Sequence, residues 1–88
     1  MDLLITVKEI RGSCPTYKVG DSFRLKAGYQ LLSDIPVCMH GLASLMPYYN
    51  ALRFTEPDLW GLDSKDNPKK LCIQCPDPCD HTGGGTVV

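Results

Sequence analysis

The chain has 88 residues, a formal net charge of −1 and five cysteines. A chain of this length makes one small domain, 1–88, whose core is only marginally sufficient without a metal, cross-links or a partner subunit. Its Lys and Arg residues are scattered with no basic stripe, which argues against nucleic acid as a partner.

The first apolar run, Leu3 to Val7, is interrupted by Thr6 and closed by Lys8 and Glu9. It is too short for a signal peptide or a membrane span, so a cytoplasmic location without membrane association is expected. In a reducing compartment the thiols stay free, and an odd number of cysteines then points to ligation or packing. From Leu3 to Ile10 the β-branched content and a loose alternation, with Ile5 and Val7 on one face, predict a strand broken at Arg11-Gly12-Ser13. A turn at Gly20-Asp21 feeds a second strand in which Phe23 and Leu25 face the core, making a hairpin or meander.

From Leu42 the apolar residues Leu42, Leu45, Met46, Tyr49 and Leu52 follow helical spacing. Pro47 lies inside that pattern and predicts a kink or two short helices, because proline removes a backbone donor and clashes with the preceding turn. Ser33 or Asp34 before Pro36 is placed to cap an earlier start. Thr55 to Lys70 reads as a connecting loop pinning Trp60 against the core, and Leu71 to Gln74 as a short strand. The glycine run Gly83-Gly84-Gly85 reads as a turn between strands, with Thr86-Val87-Val88 β-branched after it. The fold class expected is α+β, a small, mostly antiparallel sheet packed against one kinked helix from about Leu42 to Phe54.

Chemistry points to the cysteines. No phosphate-loop lysine, Ser-His-Asp order or paired-carboxylate motif is present, so the sequence names no enzymatic reaction. Cys72 and Cys75 have the two-residue spacing by which a turn aims two thiolates at one ion, as in zinc knuckles and iron–sulfur loops, and Cys79 follows two prolines later. A regular strand there would instead point Cys72 and Cys75 to opposite faces. Cys38 and His40 share a side only while the chain is extended before the helix. Cysteine is equally a small buried hydrophobe, and Cys72 with Cys75 is also a candidate reversible disulfide.

Arg11-Gly12-Ser13-Cys14-Pro15 with Tyr17-Lys18-Val19-Gly20-Asp21, Val37-Cys38-Met39-His40, Pro47-Tyr48-Tyr49 and Gln74-Cys75-Pro76-Asp77-Pro78 before the glycine turn together resemble a family of small, uncharacterised, single-domain microbial proteins. The resemblance covers nearly the whole chain and implies no activity. It puts the family's cysteines at Cys14, Cys38 and Cys75, and marks Cys72 and Cys79 as departures; some relatives show an aromatic residue at the position of His40, and many continue the final strand further. The expected site is therefore a zinc or iron ion, or an iron–sulfur cluster, held by Cys14, Cys38 and Cys75, with His40 or Cys72 as a fourth ligand and Cys79 as an alternate. The competing expectation is a protein without a cofactor, its cysteines packed in the core and its apolar surface covered by a protein partner or a second copy.

Overall fold

The computed structural model describes residues 2–57 and 61–88. Its strands are β1 (Leu3–Thr6), β2 (Ile10–Gly12), β3 (Ser22–Lys26), β4 (Gln30–Leu32), β5 (Asp63–Ser64), β6 (Asn67–Leu71) and β7 (Gly85–Val87). Its helices are α1 (Met39–Leu45), α2 (Tyr49–Leu52) and α3 (Cys79–Thr82). All strand pairs are antiparallel, in a three-stranded sheet ordered β1-β3-β4 and two ribbons, β2-β7 and β5-β6. This is the α+β class read from the sequence. Among the described residues no helix is long and apolar enough to cross a membrane.

The period-two pattern of the first half builds the core. Ile5 pairs with Phe23 and Leu3 with Leu25 across β1 and β3, so these side chains stand on one face while Leu4, Thr6 and Arg24 face water. Val7, Tyr17, Phe23 and Leu25 are the buried centre, packed by partly buried Ile10, Cys14, Ile35, Val37, Cys38 and Leu45. The Lys26–Tyr29 turn closes β3 onto β4 through the Tyr29 N–H to the Lys26 carbonyl, with Ala27 and Gly28 both left-handed. That mirror-image turn matches the right-handed twist of the strands it joins. The last residues return to the start of the chain: Lys8 donates its N–H to the Val88 carbonyl at 2.8 Å, and Val88 donates to the Glu9 carbonyl at 2.8 Å.

Four expectations are corrected. The single kinked helix is two short helices: α1 ends at Leu45 and α2 begins at Tyr49, because Pro47 has no N–H for the ladder. The first of them starts at Met39, with Cys38 as its N-cap, while Ser33 turns its hydroxyl onto the backbone of Ile35 instead. Within Thr55–Lys70 lies the β5-β6 hairpin, and Leu71 is the end of a strand rather than the start of one. This ribbon is polar and includes Pro68, so it carried no hydrophobic alternation to betray it; a two-stranded ribbon has only edges, and proline is tolerated there. Finally, the glycine run joins a helix to a strand: Gly83 is the left-handed C-cap of α3 and Gly85 opens β7. The expected packing of Trp60 falls outside the described residues.

Candidate functional site

Cys14, the Cys38–His40 pair and Cys75, three segments far apart in sequence, line one cavity of about 160 Å³. Its remaining wall is mostly apolar, with Ile5, Phe23, Leu45 and Val87. At this size an apolar cavity admits one benzene-sized group or an ion with a small ligand. Each thiol reaches it from a different element. Cys14 lies in the turn that follows β2, and its sulfur accepts the Tyr17 N–H at 3.3 Å. Cys38 caps α1, with its N–H donated to the Tyr17 phenol oxygen at 2.8 Å. Cys75 follows the irregular stretch after β6; its sulfur accepts the Val87 N–H at 3.2 Å and donates to the Gly85 carbonyl at 3.6 Å. His40 is the second residue of α1 and sits exposed at the rim.

The other two cysteines lie elsewhere. Cys72 donates its N–H to the Leu62 carbonyl on the hairpin side, off the cavity, and Cys79 opens α3 with its Cβ beneath Gly12. The segment between them is not a regular strand, and all five cysteines are free and half-buried. Among the described residues no group of three or more His, Cys, Asp or Glu is placed to hold a metal ion. The four cavity donors thus share a wall without surrounding a common point.

Asp77 ties the segment after Cys75 to the end of the chain. Its carboxylate accepts the Thr82 hydroxyl, and its carbonyl accepts the Thr86 hydroxyl at 2.5 Å and the Cys79 N–H at 3.1 Å. Thr86 is 5 % exposed, so this bond is shielded from water. A Cβ on Gly84 would fall on Asp77 Oδ2, which explains a glycine where the backbone is not left-handed. The Cys75-Pro-Asp-Pro and Thr82–Thr86 stretches are therefore one interlocked unit. The N–H groups of Gly83 and Gly84 are spent inside it, on the Cys79 carbonyl and the Thr82 hydroxyl, which leaves the loop's role as a turn.

Tyr17 is the residue that sequence reasoning did not single out. It is 9 % exposed, lines the cavity and links the Cys14 turn to the start of α1. Burial raises its phenol pKa above the ordinary value, opposed by the Cys38 N–H and reinforced by the neighbouring Cys38 and Cys14. The side chain is therefore neutral and a hydrogen-bond donor at neutral pH. Its sequence signals were the spacing Cys14-Pro-x-Tyr17 and its place at the head of Tyr17-Lys18-Val19-Gly20-Asp21. Comparison with protein-family models, with curated proteins and with solved structures finds no match to this chain.

Proposed function

We propose that this protein is a small metal-binding module in which Cys14, Cys38 and Cys75 supply thiolate ligands and His40 the fourth donor. The observation that carries the reading is convergence: Cys14, Cys75, and the start of α1 with Cys38 and His40 come from three separate segments to line one cavity, while Cys72 and Cys79 lie outside it. Three thiolates with one imidazole are a donor set for zinc or iron, in which soft sulfur selects against magnesium and calcium. Two of the sulfurs already receive backbone N–H donors, the kind of outer contact that orients a ligating thiolate. Because the donors do not surround one point, binding requires the Cys14 turn and Cys38 to close toward Cys75, which is held against β7. The Cys14 turn is irregular backbone outside the sheets, where such movement costs least.

Metal analysis of anaerobically purified protein, with its ultraviolet–visible spectrum, tests this and separates a single ion from an iron–sulfur cluster. The expected result is about one ion per chain, lost in Cys38→Ser and retained in Cys72→Ser. Metal far below stoichiometry, and equal in wild type and Cys38→Ser, rejects it.

A second reading is favoured by the same hydrogen bonds: an accessory protein without a cofactor, in which the Cys14 and Cys75 sulfurs serve the fold. Tyr29, Leu31 and Leu32, exposed on and beside β4, would then meet a protein partner or a second copy. Under that reading chelators leave the melting temperature unchanged and native thiols titrate slowly; under the first, stability depends on the chelator.

A further inference from the structure

β4 closes the three-stranded sheet on one side as an edge strand, and an edge offers backbone N–H and C=O groups to any strand that can lie beside it. Antiparallel strands bond through alternate residues, so part of Gln30–Leu32 turns its backbone groups away from β3. Natural edges are blunted by lysine, proline, a bulge or an inward charge. β4 has none of these: its residues are Gln-Leu-Leu, and its pairing with β3 runs without a register shift. It also carries a leucine on each face. Leu32, opposite Arg24, is 45 % exposed on the outer face, and Leu31, opposite buried Leu25, is 41 % exposed on the inner face. With Leu25, Leu42, Met46 and Tyr49, Leu31 lines a groove of about 180 Å³ between the sheet edge and the helices.

We propose that this edge is a homodimer interface, in which β4 pairs antiparallel with β4 of a second copy about a twofold axis at Leu31. A three-residue strand with an apolar centre is complementary to itself in that sense: Leu31 meets Leu31, and Gln30 meets Leu32 of the other copy, twice. The two Leu31 side chains then stand side by side on the inner face, each against its own groove. Carried past the strand, the same register brings exposed Asp34 of each copy toward Gly28 of the other, where the Arg53 guanidinium lies. The flanks are thus opposite in charge, which favours this orientation. A formal net charge of −1 adds little repulsion between copies. The pairing names the occupant left open under the second reading, yet it holds with or without a metal, because none of the five cysteines lines this groove.

Sedimentation equilibrium of the reduced protein from about 10 μM to about 1 mM is expected to show a monomer–dimer equilibrium, as an interface at the small end of the size range implies. Over the same range the Gln30–Leu32 amides are expected to gain protection from hydrogen exchange. Leu31→Lys and Leu31→Glu each place like charges opposite one another at the axis, and each alone is expected to weaken dimerisation by about tenfold or more. An equal mixture of the two is expected to restore it, because lysine then faces glutamate, and that rescue requires residue 31 to meet itself across the axis. A mixture that associates no better than either variant alone overturns the register. Wild-type protein that stays monomeric at about 1 mM, or that grows past a dimer, overturns the twofold pairing and leaves the groove to a different partner. If the Leu31 variants fail to fold, the wild-type exchange decides: β4 protection that does not rise with concentration overturns the proposal. Failure here is distinct from failure of the metal reading, which metal content alone decides.

Discussion

Replacing Gly83, Gly84 and Gly85 with alanine one at a time separates three physical reasons for glycine within one run. At Gly83 the reason is conformation: its φ is 76° and an added Cβ would meet nothing within 4 Å, so the cost is the left-handed backbone penalty of about 1 kcal/mol. At Gly84 the added carbon falls on Asp77 Oδ2, a side-chain atom that can swing away only by giving up the Thr82 hydroxyl, for a cost of about 1–2 kcal/mol. At Gly85 the obstacles are backbone atoms, Cys14 N at 2.7 Å and Ser13 C at 2.8 Å. They cannot rotate aside, so β7 must part from β2 or the Cys14 turn must move, for about 3 kcal/mol. In a domain of this size about 4–8 °C of melting temperature accompanies each kcal/mol, which gives losses of about 4–8, 4–16 and 12–24 °C in that order. Scanning calorimetry reads the series directly. Under the metal reading, because the Gly85 collision displaces Cys14, cobalt(II) binding is expected to be lost in Gly85→Ala and kept in Gly83→Ala. Equal shifts for the three variants, or Gly85→Ala melting within about 5 °C of the wild type, would refute the close backbone approach of β7 to the Cys14 turn.

Two further outcomes are expected. Cys75→Ala removes the acceptor of the Val87 N–H and the donor to Gly85, at about 1–2 kcal/mol in urea unfolding, whereas Cys72→Ala should stay within about 0.5 kcal/mol; equal losses would restore the local cysteine triplet as a unit. The Tyr17 phenol is raised above its ordinary value of 10.0, chiefly by burial. A raised native pKa leaves stability intact below the unfolded value and removes it as pH rises beyond, since the unfolded chain then ionises first. Stability should therefore fall above about pH 10, more steeply in the wild type than in Tyr17→Phe, and identical alkaline slopes would rule out a buried phenol.

What the sequence determined is what local chemistry can specify. The period-two placement of Ile5, Val7, Phe23 and Leu25 set the core face of β1 and β3, because a strand alternates its side chains whatever it pairs with. Pro47 set the end of α1, because the missing N–H is a property of the residue itself. The β5-β6 ribbon was illegible because its hydrogen bonds come from backbone groups that every sequence carries, and its polar side chains bury too little to leave a pattern. The site was legible only in part. Spacing favoured Cys72 with Cys75, the resemblance implied Cys14, Cys38 and Cys75, and in the fold Cys14, Cys38 and Cys75 line one cavity while Cys72 lies off it. Only tertiary structure decided which way each sulfur faces. The β2-β7 pairing carries Gly85 and Val87 to Cys75, the Asp77 interlock holds that segment irregular, and the buried Tyr17 joins Cys14 to Cys38. Such contacts link residues distant in the chain, and spacing along a sequence encodes direction only while the backbone stays regular.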